Sequence, residues 1–129
     1  MTDKAKVYLS DLHFEHNQWL SELKFWDEEI NSFTKRLEEV VERYNDNEIR
    51  AKIEHFQNRF LLNHQAINKQ IKEVNKHEKI LARYAEHHMS TLENTPVHDH
   101  ASLRELMQVQ RAMYAELKSE YYSFLTKNI

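Results

Sequence analysis

The first third of the chain carries a seven-residue hydrophobic repeat. From Leu12 onward, positions alternately four and three residues apart are apolar or aromatic at nine of ten places, and only His16 is polar. This spacing is typical of a coiled-coil seam and predicts a first helix over about 3–44, beginning near Thr2 or at the cap-like Ser10–Asp11. The repeat comprises Leu12, His16, Trp19, Leu23, Trp26, Ile30, Phe33, Leu37, Val40 and Tyr44.

A second repeat begins after Asn45–Asn47, three residues that favour turns and helix caps. Asn45 and Glu48 have the spacing of a capping box, so we expect a second helix over about 47–89. Its polar positions lie in the later part of the repeat. The repeat comprises Ile49, Ile53, Phe56, Phe60, Asn63, Ile67, Gln70, Val74, His77, Leu81, Tyr84 and His88.

The third helix is predicted over about 97–127. Thr95–Pro96 is a natural helix start because proline fits the first turn, and Asp99 is an alternative cap. Tyr114, Tyr121 and Tyr122 give this helix apolar character on more than one side, which indicates a second contact surface. The expected seam comprises Leu103, Leu106, Gln110, Met113, Leu117, Tyr121 and Phe124.

These elements predict an all-α fold, an up-down-up antiparallel three-helix bundle with coiled-coil-like packing in a single domain over 1–129. Short connections make successive helices antiparallel neighbours. A hairpin centred on Asn45–Asn47 pairs Phe33 with Phe60 and His16 with His77. The same logic places Gln110 beside His77, although a different second loop would break that match.

In that register the third helix reaches only the level of residue 58, so the tip of the first hairpin is expected to protrude. An apolar flank of the tip would then be uncovered, and such patches usually mark a partner or oligomer contact. We therefore expect a homo-oligomer or a helical protein partner at this surface. The expected contact residues are Leu37, Val41, Tyr44, Ile49, Ile53 and Phe56.

Composition excludes several classes of site. The chain has 0 Gly and 0 Cys, which removes phosphate-binding glycine loops, disulfides, thiolate metal sites and cysteine nucleophiles. The net charge of -3 disfavours nucleic acid as a partner. No apolar run approaches the roughly 20 residues of a membrane span, and the start of the chain lacks a secretory signal, so we expect a cytoplasmic protein.

Histidine supplies the main candidate chemistry, with 9 residues in the chain. His13, His16, His77 and Glu78 are expected in one layer, where they would form a metal site or a polar layer that sets helix register. The Glu-x-x-His motif of di-iron bundles and the His-x-x-x-His spacing do not occur. A second group surrounds the second loop and is expected to be solvated or to bind a surface metal: His87, His88, His98, Asp99 and His100.

Two groups of charged residues are interpreted as structural. Asp27 and His64 are expected to form an ion pair, and no arrangement indicates a general base. A basic stripe on the second helix is expected to be a solvated face, although it could meet an acidic partner, a lipid surface or nucleic acid. The stripe comprises Lys69, Lys72, Lys76, Lys79 and Arg83.

The sequence thus favours a non-enzymatic interaction or scaffold protein that self-associates and needs no cofactor. One alternative is a metal-binding bundle that uses the histidine layer. Another is a pH-responsive bundle whose buried histidines become charged as the pH falls.

Overall fold

Three long helices build the protein, as the hydrophobic repeats predict. The computed structural model describes residues 7–87, 91–92 and 95–129. Helix α1 is Leu9–Val41, α2 is Asn47–Glu86 and α3 is Thr95–Asn128. They pack against one another, which confirms the all-α three-helix bundle.

A short backbone pairing lies at one end of the bundle. Strand β1, Val7–Tyr8, pairs antiparallel with strand β2, Thr91–Leu92. The first helix was expected from residue 3. Residues 3–6 lie outside the described residues. Val7–Tyr8 is extended and α1 begins at Leu9, one residue before the alternative start expected at Ser10–Asp11. The predicted seam position His88 also lies outside the described residues.

The turn between α1 and α2 is capped by Asp46. Its carboxylate accepts hydrogen bonds from the backbone nitrogens of Glu48 at 2.8 Å and Ile49 at 3.2 Å. Asn45, the cap expected from the sequence, lies one residue too early. Arg50 donates from Nη1 to the carbonyls of Val41 and Tyr44, at 3.2 and 2.9 Å. This satisfies the Val41 carbonyl, which the end of α1 leaves without a helical partner, and the Tyr44 carbonyl in the turn.

The predicted register of the α1–α2 hairpin is confirmed. The rings of Phe33 and Phe60 have centroids 5.7 Å apart, and those of His16 and His77 are 5.1 Å apart. A short turn and two regular seams leave little freedom to slide, which is why sequence spacing predicts this register. Burial of these seams is the main source of stability.

Helix α3 presents a different face to the core from the one expected. Met107 and Tyr114 are buried, whereas Leu106 and Met113 are half exposed. Both sets lie at helical spacing from Leu103, so α3 has two apolar sides. The bundle buries the side that continues through Tyr121 and Phe124, so the predicted placement of Leu106 and Met113 in the seam is wrong.

The hairpin tip does not protrude. The Tyr44 hydroxyl donates to the backbone carbonyl of Asn128 at 3.3 Å, so the end of α3 reaches the α1–α2 turn. Phe124 lies against Phe56, with ring centroids 5.3 Å apart, and Leu125 also packs on the core. The prediction of an uncovered flank is wrong because α3 lies closer to the tip than the expected register allowed.

The residues expected to form a contact surface at the tip are instead packed within this chain. Leu37, Ile53 and Phe56 are buried in the core. Val41, Tyr44 and Ile49 are partly buried against the same core. The structural reason for expecting a contact surface at this end of the bundle is therefore removed.

Candidate metal centre

Three buried imidazoles, one from each helix, meet in one layer of the bundle. His16 on α1, His77 on α2 and His100 on α3 are each at most 4% exposed. Their ring centroids are 4.9 to 5.5 Å apart. One nitrogen from each ring lies within 4.8 Å of the other two. We call these three residues the histidine cluster.

Two carboxylates hold the outer nitrogens of the cluster. His16 Nδ1 lies 2.7 Å from Glu78 Oε1, and His100 Nε2 lies 2.6 Å from Glu15 Oε1. Because a carboxylate accepts, each imidazole donates its N–H to that oxygen. In the neutral tautomers that result, His16 Nε2 and His100 Nδ1 carry lone pairs.

Those lone pairs belong to the interior of the cluster. His16 Nε2 accepts a hydrogen bond from His77 Nδ1 at 3.2 Å. His100 Nδ1 is buried without a hydrogen-bond partner among the described residues. A buried acceptor of this kind costs free energy unless something satisfies it, and a cation is one way to do so.

Burial keeps two of the imidazoles neutral. Desolvation lowers the pKa of His16 below its ordinary 6.5, although Glu78 acts in the opposite direction. Desolvation likewise lowers the pKa of His100, against the effect of Glu15. The neutral imidazole is the form that binds metals.

Glu15 is held in its ionised form. Arg104 donates to both of its oxygens, at 2.8 and 2.7 Å, and this contact is the main reason that the pKa of Glu15 falls to about 2. The hydrogen bond from His100 lowers it further, while burial opposes both effects. Glu15 is therefore a carboxylate throughout the neutral range, and the tautomer of His100 is set accordingly.

Trp19 covers one side of the cluster. Its ring is stacked on that of His100, with centroids 4.8 Å apart and planes inclined by 27°. It also lies 5.6 Å from the His16 ring. An aromatic wall of this kind orients the imidazoles and limits access by water.

Three ion pairs fix α3 beside α1 and thereby place His100 in the cluster. Glu15 pairs with Arg104, Glu22 with Arg111 and Glu29 with Lys118, so the contacts recur every seven residues along both helices. Constant spacing means that α1 and α3 run parallel in one register. Tyr114 also donates to Glu29 at 2.7 Å. The seven-residue spacing of these charges was readable in the sequence.

The structure brings the predicted metal residues into one region, but His100 takes the place of His13 among the buried imidazoles. His13, His16, His77 and Glu78 lie in one region, but His13 is exposed and contacts Glu78 through its Nδ1. Glu78 thus contacts both His13 and His16, and it contacts His16 on the ring nitrogen opposite the one that approaches His77.

The sequence analysis did not predict that His100 belongs to the histidine cluster. It was assigned to the solvated loop group, whereas it is 1% exposed. It lies three residues before Leu103, and this spacing continues the α3 seam, so the signal was present. His87, His98 and Asp99 from the same group are exposed.

Gln110 does not lie beside His77. Its amide nitrogen donates to Asn63 Oδ1 at 2.9 Å, forming a separate buried polar pair. The predicted pairing is wrong because His100 occupies the position opposite His77. The predicted contact of His64 with Asp27 is confirmed, at 2.5 Å.

The chain matches no protein-family model, no curated protein and no solved structure. Within the described part of the chain, no helix combines the length and the apolar character needed to cross a membrane. The chemistry of the histidine cluster therefore rests on its own geometry.

Proposed function

We propose that the protein is a metal-binding helical bundle that holds one transition-metal ion on His16, His77 and His100. The observation that carries the proposal is the meeting of three buried imidazole nitrogens within 4.8 Å of one another. Imidazole is a good ligand for zinc, copper, iron and nickel, and bundle cores accommodate such sites.

The spacing of the ligands suits a tetrahedral ion. Metal–nitrogen bonds of about 2.0–2.1 Å place two ligand nitrogens roughly 3.3–3.4 Å apart. His16 Nε2 and His77 Nδ1 are 3.2 Å apart, so this pair needs almost no change of distance, although the proton on His77 Nδ1 would have to move to Nε2 for that nitrogen to bind the ion. The wider separations, up to 4.8 Å, would have to shorten when the ion binds. We name zinc as the first candidate because it tolerates this geometry without any electronic preference.

The outer carboxylates support the same assignment. Metal-binding histidines commonly donate their second N–H to a carboxylate, which fixes the tautomer and makes the ligand more basic. Glu78 accepts such a hydrogen bond from His16, and Glu15 accepts one from His100. Three protein ligands leave the fourth position of a tetrahedral ion to water.

Metal binding would be coupled to the stability of the bundle. The ligands come from three different helices, so the complete site exists only in the folded chain. An ion at a hundred times its Kd stabilises the folded state by about 2.7 kcal/mol. We propose this metal-dependent stabilisation as the biochemical role, without a catalytic step.

The test is direct metal titration of chain purified without a histidine tag and stripped with EDTA. We expect one Zn²⁺ per chain by calorimetry, and Co²⁺ to give the intense visible bands of a tetrahedral site. His77→Ala and His100→Ala should each weaken binding at least 100-fold. Circular dichroism checks that the variants remain helical.

Matched controls separate this site from the one expected from the sequence. His98→Ala removes an exposed histidine two residues from His100 and should leave affinity unchanged. His13→Ala should change it by less than about tenfold, since His13 contacts only Glu78 and Asn17 in the described structure. Absence of binding, or equal loss in His98→Ala and His100→Ala, contradicts the proposal.

A further inference from the structure

We propose that two copies of the chain associate through an apolar groove between α2 and α3. The groove is defined by Leu62 and Ala66 on α2 and by Leu106, Val109 and Met113 on α3. It lies on the side of α3 that the bundle leaves exposed, and the inference does not depend on metal binding.

The groove is continuous along the seam between the two helices. Three cavities of about 330, 280 and 270 Å³ follow one another there. Leu106 and Glu73 line both the first and the second of these cavities, and Met113 and Ala66 line both the second and the third. The cavities are therefore parts of one depression.

Large apolar side chains remain in solvent along this depression. Leu62 is 64% exposed, Val109 56%, Leu106 52% and Met113 50%. Single exposed apolar residues are ordinary, but a row of them along one groove marks a contact surface. The groove floor also contains Gln70, whose buried Nε2 has no hydrogen-bond partner among the described residues.

The two walls of the groove carry opposite charge. The α2 wall contributes Lys69 and Lys76, with Glu73 between them, and Arg59, which already pairs with Glu120 of its own α3, whereas the α3 wall contributes Asp99 and Glu116. A two-fold axis parallel to the helices sets α2 of one copy on α3 of the other. The basic wall then faces the acidic wall twice, so the surface is complementary to itself.

The size of the groove fits a reversible dimer. Its α2 wall extends from Arg59 to Ile80, a length of about 32 Å at 1.5 Å per residue. A footprint two helices wide, at roughly 10 Å per helix, gives about 600 Å² buried on each copy. The total of about 1,200 Å² is at the lower limit for specific interfaces, so we expect dissociation on dilution.

The first experiment measures mass against concentration by sedimentation of metal-free full chain, from about 5 to about 500 µM. We expect a monomer–dimer equilibrium. Met113→Glu and Leu106→Glu should each raise the dimer Kd at least tenfold. The matched control is Phe25→Glu on α1, which replaces an equally exposed apolar residue outside the groove and should leave the Kd unchanged.

The second experiment tests the charged walls. One variant carries Lys69→Glu and Lys76→Glu, and another carries Asp99→Lys and Glu116→Lys. Each should be monomeric alone because like charges then face each other, and an equimolar mixture should form heterodimers. These exposed substitutions leave the core intact, and circular dichroism verifies this.

Three results would overturn the proposal. One is a strict monomer at the highest concentration. Another is a dimer that survives Met113→Glu and is lost in Phe25→Glu, which would place the contact on α1. The third is a mixture of the two charge variants that fails to associate although both are folded.

Discussion

His100 Nε2 lies 2.6 Å from Glu15 Oε1, across the interface between α3 and α1. This contact fixes the tautomer of the imidazole, because the same carboxylate also binds Arg104 and remains ionised. Charge-assisted hydrogen bonds of this kind are stronger than neutral ones. The contact therefore links helix register to the chemistry of the histidine cluster.

Replacing Glu15 by Gln should weaken zinc binding by about 10- to 100-fold, the usual effect of losing the carboxylate behind a histidine ligand. Calorimetric titration measures it. Glu22→Gln is the matched control, because Glu22 makes the same two-point contact with Arg111 one heptad further along without touching a histidine. Equal losses in the two variants would show that the ion pairs act only through general stability.

The metal-free protein should lose stability as the pH falls. In the folded state the pKa values of His16 and His100 lie below 6.5, so near that pH the unfolded chain binds more protons. The free energy of unfolding then decreases as the pH drops from about 7 to 5. Below pH 4.5 the lowered pKa of Glu15 acts in the same direction, and its contribution is lost as the pH falls towards 2.

Urea unfolding in the presence of EDTA, repeated between about pH 7.5 and 5, measures this dependence. His16→Leu removes one buried titrating group and should flatten the curve. His98→Leu, at an exposed position, should leave its slope unchanged. A pH-independent wild-type curve, or one that His16→Leu does not alter, is incompatible with the prediction.

Phe124→Ala should destabilise the protein by about 3–5 kcal/mol, as expected when a buried phenylalanine is truncated. The side chain is 6% exposed and contacts Phe56 near the hairpin tip. Chemical unfolding gives the value, and Phe25→Ala at a half-exposed site should cost far less. A loss below about 1 kcal/mol would mean that α3 does not cover the tip.

The buried pair of Asn63 and Gln110 allows a double-mutant cycle. Gln110→Leu alone leaves the Asn63 oxygen without its donor and should cost about 1–3 kcal/mol. Adding Asn63→Leu should recover much of this loss, because neither polar group then remains unpaired. Additive losses in the double variant would show that the two side chains are not coupled.

Sequence spacing determined the α1–α2 hairpin. Its two seams are regular and its turn is short, so the contacts of Phe33 with Phe60 and of His16 with His77 follow from counting residues. The N-terminal cap of α2 was predicted at Asn45 and lies one residue later, at Asp46. Capping hydrogen bonds and heptad spacing both depend on residues that are close together in the chain. A single sequence is therefore enough to predict them.

Only the tertiary structure decided the position of α3. This helix is apolar on two sides, and its loop from α2 does not set a register, so the sequence alone permitted Leu106 and Met113 in the core. Packing against two helices at once, with the row of ion pairs to α1, selected the side bearing Met107 and Tyr114. That side carries His100 into the histidine cluster, and the position of α3 along the bundle brings Phe124 to the hairpin tip. Both depend on contacts between distant segments, which are decided only when all three helices are present.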